Sequence, residues 1–162
     1  NSEDVWSNKY PYLISVKDFD QKNPKLYWKK TFSNKELQAL FPKIGGIKNI
    51  QILKISTTGR VKNIKLIGNY GSADFSGNDF RKKMGLKSTL FRFNFITDNS
   101  QEKNNNINEN SSLIISGMGA GHGVGMSQWG AKQLAKSGYK AKDILKYFYT
   151  GIEIKPFKEI YK

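Results

Sequence analysis

Short apolar runs along the chain predict several strands. The clearest lies at residues 91–95, where Phe91, Phe93 and Phe95 alternate with polar residues, which is the period of a half-buried strand. Two β-branched runs are separated by Thr57-Thr58-Gly59-Arg60, and this spacing predicts a hairpin. The full set of predicted strands is 12–18, 26–32, 47–56, 61–67, 91–95 and a run that starts at Leu113.

Two helix starts are marked by capping residues. Ser33 is followed three residues later by Glu36, and Ser76 is followed in the same way by Asp79. Each serine can therefore accept a backbone hydrogen bond in the first turn of its helix. Apolar residues flank each cap and can pack together, Phe32 with Leu37 and Phe75 with Phe80. The first helix is expected to end before Pro42 and the second at Gly85.

The last third of the chain predicts two more helices. One runs from about Ser127 to Lys136, and Ser137-Gly138 ends it. The other carries an apolar stripe at i, i+3, i+4 and i+7, formed by Ala141, Ile144, Leu145 and Phe148. A short strand is expected at residues 152–154. Strands and helices do not alternate in βαβ order along the chain. The fold class is therefore expected to be α+β, with a mostly antiparallel sheet and several short helices, two of them C-terminal.

Length and composition indicate one folded domain over residues 1–162. The chain is 38% hydrophobic and 13% aromatic, which is enough to build a core. It has no cysteine and one histidine, which excludes disulfides, thiolate metal sites and multi-histidine metal sites. We expect no bound metal and no cofactor. No apolar run approaches the ~18 residues of a membrane span. Residues 98–112 are almost wholly polar and are expected to form a flexible loop between two strands.

The chain is strongly basic, with a formal net charge of +14. No acidic residue occurs between Leu37 and Ala73 or between Arg81 and Arg92, although both stretches carry several lysines and arginines. Such a surface attracts polyanions, including nucleic acid, anionic lipid and anionic wall polymer. The same charge can also serve solubility alone, and no nucleic-acid-binding motif accompanies it.

Residues 116–131 form the unusual segment of the sequence. Glycines occupy positions 117, 119, 121, 123 and 125, and in an extended strand they would all lie on one face, open to close approach. No dinucleotide or phosphate loop fits the spacing. Trp129 stands where a nucleophile elbow needs glycine, which disfavours a triad of Ser127 with His122. A lone histidine in such a turn can also be a structural, hydrogen-bonded residue.

One segment, here called the signature, reads Gly119-x-Gly121-His122-Gly123-Val124-Gly125-Met126-Ser127-Gln128-Trp129-Gly130-Ala131. It closely resembles the signature motif of the stage II sporulation protein D family, the SpoIID/LytB domain. Residues 12–20, 76–91 and 141–151 are similar to other parts of that domain. The resemblance therefore extends over essentially the whole chain. It implies an extracytoplasmic domain that acts on peptidoglycan.

The resemblance implies lytic transglycosylase chemistry, in which the MurNAc–GlcNAc bond is cleaved without water and a 1,6-anhydro end remains. One carboxylic acid protonates the leaving oxygen and then acts as base. In the family this acid is a glutamate on an early helix, and no counterpart precedes Tyr12. The chain is therefore expected to be the C-terminal half of the domain, without the first half, and not to cleave glycan alone.

Six residues of the signature are the site that the resemblance implies. His122 would support catalysis, and the substrate-binding residues would be Gly121, Gly123, Ser127, Gln128 and Trp129. Trp129 either stacks on a sugar or is part of the core. The expected partners are glycan strands, the missing half of the domain and wall amidases, with no specific nucleic acid and no transmembrane segment. The alternative function is a non-catalytic peptidoglycan-binding or amidase-enhancer module.

Overall fold

The computed structural model describes residue 2 and residues 8–96 and 111–156. Within these residues it contains six strands and four α-helices, which confirms the α+β class. The strands are β1 (Tyr27–Ser33), β2 (Asn49–Ile55), β3 (Val61–Ile67), β4 (Ser72–Ser76), β5 (Phe91–Ile96) and β6 (Ser112–Met118). The helices are α1 (Asn34–Leu40), α2 (Gly77–Lys83), α3 (Gln128–Lys136) and α4 (Ala141–Phe148), with a 3₁₀ turn at Pro42–Ile44.

The strands form two antiparallel three-stranded sheets, in the orders β1–β6–β5 and β2–β3–β4. In the first sheet, Gly117 of β6 lies opposite Trp28 on one side and Phe91 on the other. The predicted polar loop at 98–112 joins β5 to β6. Its residues 98–110 lie outside the described residues, and β6 begins at Ser112.

The chain divides into two compact units, residues 27–122 and residues 1–26 with 123–162. The larger unit, 27–122, contains both sheets, α1, α2 and a core that includes Leu37, Ile64 and Phe80, all fully buried. The other unit contains α3 and α4 around Leu134, Ile144 and Phe148. The apolar stripe predicted on α4 thus faces a core, since Ile144 and Phe148 are its buried positions.

Both capping predictions are confirmed. Ser33 Oγ accepts from the Glu36 N–H, while the Glu36 carboxylate accepts from the Ser33 N–H at 2.8 Å. The Ser33 N–H and the Ser33 hydroxyl both donate to the ionised carboxylate of Glu36, and these two hydrogen bonds lower its pKa. Ser76 caps α2 in the same position, with its Oγ accepting from the Asp79 N–H at 3.0 Å.

Two predicted strands are absent and one was missed. Residues 12–18 form no strand: Thr150 N–H donates to the Tyr12 carbonyl, and Tyr147 Oη donates to the Lys17 carbonyl. Helix-end groups rather than a ladder thus bind this backbone. Residues 152–154 are likewise not a strand, because no described segment pairs with them. The missed strand is β4, whose serines and aspartate have low β propensity but which pairs along β3.

Candidate functional site

The glycine-rich segment is not an extended face. Strand β6 ends at Met118, and the four glycines that follow have positive φ angles between 71° and 83°. Positive φ is a conformation that residues with a Cβ rarely adopt. The prediction of a flat glycine face is therefore wrong beyond Gly117. At Gly121 a Cβ would meet open space, so glycine is required there by its φ of 83° and not by crowding.

Four hydrogen bonds hold the end of β6 in place. Trp28 Nε1 donates to the Gly119 carbonyl at 2.9 Å, and Ser88 Oγ donates to the Met118 carbonyl at 2.7 Å. Two backbone bonds add to these, from Met118 N–H to the Leu90 carbonyl and from Gly121 N–H to the Lys87 carbonyl. The start of the signature is thus anchored to β1 and to residues 87–90.

Gly117 makes the tryptophan contact possible. It lies directly across from Trp28 in the β1–β6 ladder, and a Cβ at Gly117 would overlap the indole ring. Without a side chain at this position the ring lies across β6 and its N–H reaches the carbonyl two residues further along. Neither Trp28 nor Ser88 was predicted as a site residue, because their partners lie 91 and 30 positions away.

Replacing Ser88 by alanine should destabilise the larger unit and loosen the signature. Ser88 is fully buried, and its loss leaves the Met118 carbonyl without that donor. An unsatisfied buried group of this kind costs about 1–3 kcal/mol. Urea unfolding of the chain measures the loss, and amide hydrogen exchange at Gly121 should become faster. Ser116→Ala, at an exposed serine of β6, is the control and should leave both measurements unchanged.

His122 directly follows this anchored turn and is exposed. It lies between Gly121 and Gly123, whose φ angles of 83° and 71° are both in the left-handed region. The two glycines fix the direction of the backbone on either side of the imidazole without covering it. His122 is therefore presented toward solvent by a defined backbone, which suits a group that contacts a substrate or another chain.

The second part of the signature begins α3. Ser127 is the N-cap, with its Oγ accepting from the Gly130 N–H at 3.1 Å. Its hydroxyl hydrogen remains able to donate to a ligand. Gln128 is the first residue of the helix and is exposed. The predicted helix over 127–136 is confirmed, and this local structure explains why a serine stands at its start.

Trp129 is half-buried, and it does not belong to the core cluster found among the described residues. The Lys132 ammonium lies 4.6 Å from the centre of its ring. This is a cation–π contact, since the ammonium is attracted to the electron-rich ring face. The indole thus combines an aromatic surface with an adjacent positive charge, which favours the binding interpretation of Trp129 over the core interpretation.

Asp18 is the carboxylate that packs against the signature helix. A Cβ at Gly130 would collide with Asp18 Oδ1 and would come within 2.9 Å of Phe148 Cζ. Asp18 Oδ1 also accepts from the Phe19 N–H at 2.8 Å. Burial, with repulsion from Asp18, raises the pKa of Asp20 above its usual value. Only the tertiary structure brings Asp18 to the first turn of α3.

The predicted site residues are distributed over both units. Gly121 and His122 belong to residues 27–122, and Gly123, Ser127, Gln128 and Trp129 belong to the unit that contains α3 and α4. Within the described ranges, no three histidine or acidic side chains group closely enough to hold a metal ion. No helix in those ranges is long and apolar enough to cross a membrane.

The α+β fold and the signature together define the class of this domain, that of the sporulation proteins which carry the signature. Comparisons with known proteins support this class. A family model described as Domain of unknown function (DUF8618) matches residues 7–125. The chain is 35% identical to Stage II sporulation protein D of Bacillus subtilis (strain 168) over 156 residues, which is 95% of this chain and 41% of that protein. The protein of the same name from Bacillus amyloliquefaciens is 34% identical over the same shares.

A further relative is the Amidase enhancer of Bacillus subtilis (strain 168), at 29% identity over 93% of this chain and 27% of that protein. The chain belongs to the stage II sporulation protein D family, and its residues 7–125 match the DUF8618 model. The resemblance drawn from the signature is thereby confirmed. The chain spans less than half the length of the curated relatives that it matches.

Proposed function

We propose that this chain is part of an extracytoplasmic lytic transglycosylase that cleaves the MurNAc–GlcNAc bonds of peptidoglycan in cell-wall remodelling or sporulation. The names Stage II sporulation protein D and Amidase enhancer support the broader role in sporulation and the cell wall. The observation that carries the finer proposal is the signature itself, with an exposed His122 after an anchored turn and a half-buried Trp129 on α3.

The proposed reaction needs one carboxylic acid and no water. The acid gives its proton to the GlcNAc O4 as the bond between that oxygen and MurNAc C1 breaks. The resulting carboxylate then takes the proton of the MurNAc 6-hydroxyl as O6 bonds to C1, which closes the 1,6-anhydro ring. We assign the acid to a part of the intact protein outside this chain, and we assign to His122 the orientation of that acid or of the sugar.

Trp129 and Lys132 suit a glycan from which the stem peptides have been removed. The exposed part of the half-buried Trp129 ring can stack on the apolar face of a sugar. Removal of the stem peptide leaves a free lactyl carboxylate on each MurNAc, and the Lys132 ammonium beside the ring offers that carboxylate an opposite charge. The pair therefore favours peptide-free strands over strands with intact stem peptides.

Substitutions on α3 test this preference. Trp129→Ala should weaken binding of peptide-free glycan strands by about tenfold, equivalent to ~1.4 kcal/mol, with a nearly unchanged melting temperature. Lys132→Gln should weaken glycan binding by about two- to fivefold, which is the range of an exposed ion pair. This loss should occur only with strands whose lactyl carboxylates are free. Isothermal titration with strands before and after amidase treatment measures both effects.

Lys136→Gln, at an exposed lysine of the same helix, is the matched control and should bind as the wild type does. A large loss of thermal stability in Trp129→Ala would instead make the tryptophan a core residue. Equal losses for Lys132→Gln and Lys136→Gln would show that only the general basic charge matters.

The activity itself is tested with the full-length protein that contains this chain. Incubation with amidase-treated glycan strands should yield 1,6-anhydro-MurNAc ends, detected by mass spectrometry. The second candidate function is a non-catalytic amidase enhancer, which the name of one relative favours. In that case no anhydro product appears, and the protein instead accelerates stem-peptide release by a purified wall amidase.

A further inference from the structure

The two faces of the β1–β6–β5 sheet differ in burial. One face packs on the core of the larger unit, where Trp28 of β1, Ile115 of β6 and Phe91 of β5 are buried. Side chains alternate between the faces along a strand, so the intervening residues belong to the opposite face. On that opposite face, here called the outer face, the side chains are exposed or half-buried along all three strands.

The strand register places two positive charges in one row of the outer face. Ser116 of the central strand lies opposite Lys29 of β1 and opposite Arg92 of β5, and all three residues are exposed. Residues directly opposite one another in antiparallel strands point to the same face, with Cβ atoms about 4.5–5.5 Å apart. The two cations therefore start about 10 Å apart with a hydroxyl between them, and their long side chains can converge above Ser116.

The rest of the outer face supplies polar groups and one aromatic ring. Tyr27 is 75% exposed and lies two residues before Lys29, which is about 7 Å along β1. Thr31 and Asn94 lie in the next row, on either side of Ile114. None of the three strands contains an aspartate or a glutamate. The sheet itself thus offers its two cations no carboxylate.

We propose that the outer face binds a peptide-free glycan strand, with a lactyl carboxylate of MurNAc held between Lys29 and Arg92. The Ser116 hydroxyl donates a further hydrogen bond to that carboxylate, and the ring of Tyr27 stacks on a sugar of the same strand. The inference rests on the proposed function, because it names a second binding surface for the same polymer. It goes beyond the signature, since these four residues lie outside positions 119–131.

Charge and polarity select this ligand. Hydroxyl and amide groups with a tyrosine ring suit a polymer rich in hydroxyls, and the pair of cations suits one that also carries carboxylates. A protein partner is disfavoured, because the buried centre of a protein interface is depleted of charge, whereas the centre here is Ser116 between two cations. A nucleic acid strand carries a phosphate about every 3.4 Å, more charge than one pair of cations neutralises.

The outer face continues into the turn before His122. Strand β6 carries Ser116 and ends at Met118, whose side chain is 37% exposed on the outer face. The Met118 carbonyl accepts from Ser88 Oγ, so the end of the strand is held in place. His122 belongs to the same unit and follows Ser116 by six residues, which span at most about 22 Å. A glycan of several sugars bound at Ser116 can therefore extend to the histidine.

Binding of long peptide-free strands to the full chain tests the outer face. Because the catalytic acid is assigned to a part of the protein outside this chain, the strands stay intact, and a fluorescein label on them reports binding by anisotropy. Lys29→Gln and Arg92→Gln should each weaken binding about two- to fivefold, the range of an exposed ion pair, and together about tenfold. Strands whose lactyl carboxylates have been converted to amides should bind equally to the wild type and to this double variant.

The matched control removes the same total charge elsewhere. Lys35→Gln combined with Lys54→Gln changes two exposed lysines of α1 and β2 and should bind the strands as the wild type does. Equal loss in this control would overturn the proposal, as would a loss in Lys29→Gln/Arg92→Gln that persists with amidated strands. A glycerol-phosphate polymer or duplex DNA that competes as well as the glycan would make the face a general anion site and contradict it too.

A second readout separates this inference from the proposed function. In the full-length protein, Lys29→Gln/Arg92→Gln should raise the KM for long strands about tenfold and leave kcat unchanged, because these side chains bind the polymer away from the reacting bond. An unchanged KM would contradict the role of the outer face while anhydro products still form. Absence of anhydro products from the wild type would refute the proposed function, and the binding measured with the full chain would remain.

Discussion

His122→Ala in the full-length protein should reduce glycan-strand cleavage by about a hundredfold, which is the loss that misplacement of a reacting group can cause. The melting temperature should stay nearly unchanged. The reason is that His122 is exposed and that hydrogen bonds from Trp28 and Ser88 hold the turn before it. Release of anhydro ends from amidase-treated strands, measured by mass spectrometry, gives the rate.

Two further variants sharpen this test. His122→Gln keeps a hydrogen-bonding side chain but cannot carry a proton, so activity in this variant would assign His122 to positioning alone. Tyr139→Ala changes an exposed aromatic residue outside the signature and should retain full activity. A wild-type rate in His122→Ala would contradict the proposed role and leave Gln128 and Trp129 as the candidates in this chain.

Gly130→Ala should destabilise the chain by about 1–3 kcal/mol, the usual effect of overpacking. In an ordinary helix interior the same change stabilises by about 1 kcal/mol, because alanine is the better helix former. Gly130 differs because Asp18 and Phe148 occupy the space that a Cβ needs. Urea unfolding curves measure the free energy of unfolding. We expect Gly130→Ala to lower it, whereas helix propensity alone would raise it.

A second substitution on the other side of the contact tests the cause. Asp18→Ala should recover much of the loss when it is combined with Gly130→Ala, since the two changes act on one contact and are not additive. Ala135→Gly, at an exposed position of α3, is the propensity control and should cost about 1 kcal/mol. If Gly130→Ala stabilised the chain by that amount, Asp18 would not be packed against the helix as described.

Sequence alone identified those parts of the fold that depend on near neighbours. The caps at Ser33 and Ser76 need only a partner three residues later, and both form as predicted. The β2–β3 hairpin follows from the turn residues between two β-branched runs. The signature was equally visible, because a contiguous motif carries its resemblance without any knowledge of the fold.

The tertiary structure alone decided the features that depend on distant residues. Residues 12–18 have a strand-like composition, but their backbone is bound by the end of α4 and the turn after it, so they form no strand. Strand β4 has a poor β composition and still forms, because β3 offers it a ladder. In both cases the available partner outweighed the local propensity.

The same distinction applies to the site. The sequence indicated His122 and the glycines around it, but a period of two could not show that those glycines have positive φ angles. Trp28, Ser88 and Asp18 support the signature from far along the chain, and no local pattern relates them to it. The resemblance of one contiguous motif thus indicated which residues are proposed for the site. Long-range packing decided how those residues are held. Hydrogen bonds from Trp28 and Ser88 hold the turn before His122, and Asp18 leaves no space for a methyl group at Gly130.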